Sequence, residues 1–425
     1  MGSPRTATRL AGGLFAAVLT LGLLEGALRL APGLVPLGAL ERFHRELRLE
    51  IAQRRHLPNE SVVQALPRDD DGPELLLFRP HVRLDFDYRD EGAERSVVTD
   101  STGFCNPHAS DPGLLPRVDV VAIGDSFTWC SGLRAEDAWP AQLAQRLART
   151  VWNLGRGGIG LHEELQILRR FGLAKRPRVV ILNFYEGNDL RDALRFAQHA
   201  SATPAERQAL RDATRARQGR AEHAAALDHP LGRHSYAFDL LAVGIELGLE
   251  ALRPSPAARA DPRAGVNFRY RLAFADGMRA MNPSNADRDE VVAARALLAG
   301  ETDAAVLDGP LAAFAALARE RGFTALLSYS PSAYTAYAEV VAFEDPAVGE
   351  ALAAYSRTLR AHVRQAAERD HLRLLDLTEP LQAAVRARPG EPLLYFPDHV
   401  HYTPEGSRVV ADAVADALRD VGWEP

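Results

Sequence analysis

The chain predicts an α/β fold of three layers, α/β/α, with a mostly parallel central sheet. Short apolar runs at 118–123, 178–184, 323–329 and 372–377 have the length and residue content of strands buried on both faces. Helical patterns follow them, as crossovers between parallel strands require. At 425 residues the chain can bury a large core and exceeds one ordinary domain.

In chain order, Arg5 and Arg9 precede nineteen residues, 10–28, whose only charge is Glu25. That is near the lower limit for a bilayer-spanning helix. With the positive residues on the entry side, residues 1–35 are expected to be a cytoplasmic tip and a single-pass signal anchor. The remainder would then be periplasmic or extracellular. A cleaved signal peptide and a buried soluble helix are the competing readings, and no small-x-small cleavage site stands out. Residues 36–115 mix a polar helix (ERFHRELRLEIAQRR) with strand-like pieces such as ELLLF and VRLDFDY, and read as a linker and N-terminal cap. From 116 to 425 runs the expected catalytic domain. Its first strand is followed by a helix near 137–149, a short strand at 151–154 and a helix at 161–172. A long helical insertion is expected at about 190–310, on the ligand side of the sheet. The charged, Ala-rich stretch 205–227 reads as a solvated helix face, and a formal charge of −6 without a basic stripe argues against nucleic acid as a partner.

The chemistry concentrates at two places. Residues 118–128, VDVVAIGDSFT, run from the first strand through Gly124 to Ser126 at the expected entrance of a helix. A serine there has backbone N–H groups and a positive helix end about it, though an ordinary N-cap serine fits the same residues. Near the other end, PDHVHYTPEG places Asp398 three residues before His401, just ahead of a helical pattern. An imidazole with a carboxylate to orient it is what a serine hydroxyl needs to be deprotonated at neutral pH. His399 is a rival ring, but it follows the aspartate directly and is expected to point elsewhere. A metal site of Asp398, His399 and His401 lacks further ligands nearby, so no metal and no cofactor is expected.

Four short blocks in this order resemble the SGNH (GDSL-type) hydrolase superfamily, in particular its membrane-attached bacterial members. They are Gly124-Asp125-Ser126, the run NLGRGG from Asn153 to Gly158, Gly187-Asn188-Asp189, and Asp398-x-x-His401. The lead-in TDSTGF, Thr99 to Phe104, is similar more loosely. The resemblance implies a flavodoxin-like sheet, with Ser126 as nucleophile, His401 as base and Asp398 as its orienting acid. It also implies the Gly158 N–H and the Asn188 side-chain amide as oxyanion donors, beside the N–H of Ser126. Taken singly, Gly158 could be a turn glycine and Asn188 a loop residue bonding its own backbone.

Other motifs carry less. GRGGIG at 155–160 fits a dinucleotide fingerprint but follows the second strand of the domain instead of the first. The G-x-S-x-G elbow is missing because position 128 is threonine. Cys105 and Cys130 could close a loop of 25 residues as a disulfide, or remain two separate thiols. The expectation is therefore a membrane-tethered extracytoplasmic serine esterase. Its substrate would be an acylated, most readily acetylated, carbohydrate or other small ester. Polysaccharide O-acetyl transfer by the same residues is the nearest alternative, a lipase a weaker one, and a non-catalytic glycan-binding protein the alternative of a different class.

Overall fold

The computed structural model describes residues 4–40, 43–57, 62–67, 72–86, 88–210, 234–252, 266–283, 288–390 and 392–419. The chain divides into two compact units, Met1–Ser61 with Ala202–Asp261, and Val62–Ser201 with Pro262–Pro425.

The larger unit begins with two antiparallel strand pairs, β1 (Val63–Leu66) with β2 (Leu75–Phe78) and β3 (Arg83–Asp85) with β4 (Ser96–Val98). The central sheet follows. Its strands are β5 (Val120–Gly124), β6 (Val151–Asn153) and β7 (Val179–Tyr185), then, after the intervening segment, β10 (Thr324–Ser330) and β12 (Arg373–Asp376). They lie in the order β12-β10-β7-β5-β6, every neighbouring pair parallel. All residues of β5 and β7 are buried, which is why their sequences run apolar without alternation. The sheet places β6 on one side of β5 and β7 on the other. Open parallel sheets bind ligands at such a reversal, beyond the carboxyl ends of the strands. The loops that leave β5, β6 and β7 there carry three of the four sequence blocks.

The segment between β7 and β10 is not wholly helical. It contains the helices Asp189–Ser201, Tyr236–Leu252 and Arg288–Leu298, and also the hairpin β8 (Tyr270–Phe274) and β9 (Gly277–Met281). A third strand, β11 (Val341–Phe343), pairs with β8. Tyr270 and Leu272 are buried while Arg271 and Ala273 are exposed, the alternation of a one-sided strand. The charged stretch at 205–227 passes outside the described residues after 210.

Cys105 and Cys130 are joined by a disulfide, with Cα atoms 6.2 Å apart. The TDSTGF segment is tied in beside it. The Asp100 carboxylate accepts the N–H groups of Thr102 and Phe104 and the amide of Asn106, and Asn106 in turn donates to the Asn153 carbonyl.

The smaller unit corrects one expectation. Residues Pro4–Leu30 do form a helix, but among the described residues no helix is long and apolar enough to cross a membrane. Glu25, the one charge of the expected span, instead pairs with Arg29 and accepts hydrogen bonds from the Ser235 hydroxyl and the Ala237 N–H, each of these two at 2.9 Å. It thus satisfies an open donor at the start of the helix Tyr236–Leu252. Arg29 donates to the His234 carbonyl at 2.7 Å. These polar contacts are with protein, and Leu28 packs into a core with Val35, Phe43, Leu47, Ile51 and Val243. The N-terminal membrane helix, the membrane as partner and the single-pass placement are therefore set aside. The α/β fold with its parallel sheet stands.

Candidate active site

Ser126 follows the buried end of β5 and is half-buried itself. No regular helix begins there: residues 125–132 are a succession of turns, and the next α-helix is Trp139–Leu147, after a single 3-10 turn at Ala135–Asp137. The turn is built by polar groups. The Asp125 carboxylate accepts the Phe127 N–H at 2.8 Å, the Asp125 carbonyl accepts from Trp129 at 3.0 Å, and the Trp139 indole donates to the Phe127 carbonyl at 3.1 Å. Gly132 closes the turn in the left-handed region, at φ +73°.

The loop 394–403 brings the imidazoles to it. The Phe396 N–H donates to the His401 carbonyl at 2.8 Å and the Thr403 N–H to the Leu394 carbonyl at 3.0 Å, with Tyr395 and Tyr402 bridged across. At its tip Val400 has φ +52°, an unusual state for a β-branched residue and of the kind that clusters at functional sites. His401 Nε2 lies 2.8 Å from Ser126 Oγ, with the Phe127 ring 4.9 Å from the imidazole. Burial lowers the His401 pKa to about 4. The ring is thus neutral at pH 7 and free to accept a proton.

Asp398 is not joined to His401. Its carboxylate accepts the Asn282 amide at 3.1 Å, and its backbone N–H donates to Asp90 Oδ1 at 2.7 Å. His401 Nδ1 faces His399 Nδ1 at 3.1 Å instead. Sequence reasoning passed over Asp90, which lies in a stretch without a motif, and expected His399 to point away. The only signal was the adjacency of His399 to the Asp398-x-x-His401 block.

Gly158 has φ +77°, a conformation that suits glycine. A Cβ on its neighbour Gly157 would lie 3.5 Å from that of Ser126, so this turn passes directly beside the serine. Arg156 fastens it by donating to the Gly157 carbonyl at 2.6 Å while lying over the Phe78 ring. Asn188 sits before the helix Asp189–Ser201 with its amide donating to Asp192 at 2.9 Å, and its Oδ1 is buried without a partner. Behind the turn lie buried carboxyls. Burial, reinforced by neighbouring carboxylates, pushes Asp125 up to about 7 and Glu164 and Asp189 well above the usual range. Among the described residues no three such groups form a metal-binding cluster. Taken together, the geometry offers a serine hydroxyl, a neutral imidazole within hydrogen-bond distance of it and a glycine turn beside them.

Residues 122–409 match the GDSL-like Lipase/Acylhydrolase family. The chain belongs to this family. As an SGNH-type hydrolase it has general esterase chemistry, while nothing supports the narrower likeness to membrane-attached members. No curated protein matches the sequence. Among solved structures, the chain resembles the acetyl xylan esterase AlAXEase at 15% identity and TM-score 0.36, over 71% of this chain and 100% of that one. An acetyl xylan esterase from Geobacillus stearothermophilus shares 13% identity at TM-score 0.34, covering 72% and 96% of the two chains. A lipase/acylhydrolase from Enterococcus faecalis shares 11% at TM-score 0.32, covering 71% and 96%. Likeness at this level decides nothing about the substrate.

Proposed function

We propose that this SGNH hydrolase cleaves an acyl ester through an acyl-Ser126 intermediate, with O-acetyl groups on a carbohydrate or cell-envelope glycan as its substrate class. The 2.8 Å contact between Ser126 Oγ and His401 Nε2 carries the reading. In the first step Ser126 Oγ bonds to the ester carbonyl carbon as its proton passes to His401 Nε2. The carbonyl π electrons move onto oxygen, where the N–H groups of Ser126 and Gly158 offer donors. Asn188 supplies a third by turning its amide from Asp192. The intermediate collapses with loss of the alcohol, which takes the proton from His401. Water then attacks the acyl-serine with His401 again as base and releases the acid. The family supports an ester substrate, the glycan is what its extracytoplasmic members of similar layout imply, and the Cys105–Cys130 bond supports an oxidising setting for the enzyme.

Ser126→Ala is the test. It should abolish turnover of an activated acetyl ester and labelling by a fluorophosphonate, with an unchanged circular dichroism spectrum. Labelling that persists in the variant would overturn the assignment. Supplying an oligosaccharide reports the acceptor, because acetylated sugar formed at the expense of free acetate would mean transfer instead of hydrolysis.

A further inference from the structure

We propose that His399 and Asp90 are positioning residues for His401, forming the chain Ser126–His401–His399–Asp90 in which the Asp90 carboxylate fixes both imidazole tautomers. This rests on reading Ser126 and His401 as the catalytic pair. For His401 Nε2 to accept the serine proton, its own hydrogen must sit on Nδ1. Nδ1 faces His399 Nδ1 at 3.1 Å, and in the proposed chain that atom is the acceptor, with the His399 backbone carbonyl as a second acceptor near the ring. The hydrogen of His399 then sits on Nε2, which lies 3.5 Å from Asp90 Oδ2. Both atoms are buried, and at this separation neither has a hydrogen-bond partner. Catalytic contacts are often this long before substrate binds and tighten afterwards. No proton has to leave His401 Nδ1 during the reaction; the chain holds the ring and stabilises the imidazolium that forms on it.

The surroundings hold His399 in this attitude. Tyr88 packs against the ring at 4.4 Å and Phe396 at 4.6 Å. A Cβ on Gly132 would come within 2.7 Å of Nε2, so the glycine leaves the ring room to face Asp90. The Gly132 carbonyl also accepts the Glu94 N–H at 2.8 Å, binding the Asp90 segment to the nucleophile turn. Burial and the neighbouring His401 ring lower the His399 pKa to about 3, which keeps the ring neutral. Asp90 is fixed as well, because its Oδ1 accepts the Asp398 N–H at 2.7 Å.

That last bond makes Asp90→Asn a specific probe. The Asp398 N–H holds the amide oxygen at the Oδ1 position, so the NH2 group must face His399 Nε2. His399 would then carry its hydrogen on Nδ1, His401 would be driven to the Nε2–H tautomer, and Ser126 would lose its acceptor. We expect Asp90→Asn and His399→Phe each to lower kcat about 100-fold with KM changed less than about threefold. His399→Asn, which keeps an acceptor near the Nδ1 position, should recover about tenfold over His399→Phe. Asp398→Asn should cost less than about threefold. Asp90→Asn and His399→Phe both within threefold of wild type would overturn the proposal, and so would failure of His399→Asn to exceed His399→Phe. An Asp398→Asn loss matching that of Asp90→Asn would also overturn it, returning the orienting task to Asp398. His401→Ala runs alongside: if it retained full activity, the catalytic pair itself would be wrong, whereas an inactive His401→Ala isolates the result to His399 and Asp90.

Discussion

Acidification should expose how far burial has moved His401, the proposed base. An ordinary histidine titrates near about 6.5, and on the sequence alone activity is expected to fall with that midpoint. The structure moves His401 to about 4, because its charged form is poorly solvated where it sits. At pH 5 a base with a pKa of about 4 is roughly nine-tenths free, whereas one at about 6.5 is only about 3% free. The two cases differ about 30-fold in kcat/KM at that pH, relative to the plateau near about pH 8. The assay is release of acetate from an activated ester, followed by a detection step that does not itself titrate. Folding must be monitored in parallel by tryptophan fluorescence. His399 and His401 have folded pKa values of about 3 and about 4 against about 6.5 unfolded, so the unfolded chain binds more protons in this window. Their contribution to stability is intact above about 6.5 and is lost as pH falls through the window toward the folded values. An acid limb centred near about 6.5 in protein that is still folded would refute the argument from burial.

Asp125 should show the opposite sign. Its folded pKa of about 7 exceeds the unfolded 3.8, so its cost to folding grows as pH rises between these values. Asp125→Asn should gain on the order of 2–3 kcal/mol relative to wild type between about pH 5 and about pH 8, read from urea midpoints; a pH-independent difference would mean the carboxyl is ionised in place. Removing the Cys105–Cys130 bond by a double change to alanine should lower the unfolding free energy by about 3 kcal/mol, for a sequence separation of 25. A urea midpoint unchanged from that of the oxidised protein would show that the bond constrains nothing.

The inner strands of the sheet were legible because burial on both faces leaves an uninterrupted apolar run, as in VVILNFY of β7. The meeting of Ser126 and His401 was legible because each block couples a polar side chain to turn residues at fixed spacing. The hairpin β8–β9 also left a signal, Asp276-Gly277 between alternating segments, that was absorbed into an expected helical insertion. The proposed support of His401, Asp90 through His399, left almost none. Asp398 has the right spacing, but spacing along the chain does not say which way a carboxylate turns, and here it turns to Asn282. Asp90 meets the site across 308 residues, through a bond to the backbone of Asp398, and no local pattern encodes such a meeting. The N-terminal apolar run misled for a related reason. Glu25 finds its partners at Ser235 and Ala237, far along the chain.

The segment 62–115 also bears on how this enzyme could be shortened or exchanged with its relatives. The family match begins at residue 122, which invites a cut just before the first strand of the sheet. A chain begun there would lose Asp90, the Asn106 side chain that bridges Asp100 to Asn153, and the cysteine bonded to Cys130. With Asp90 in the proposed chain, the leading piece is less a removable attachment than a share of the reactive centre contributed from outside the recognised motif. Swapping it between homologues should transfer, or break, the tuning of the base along with it.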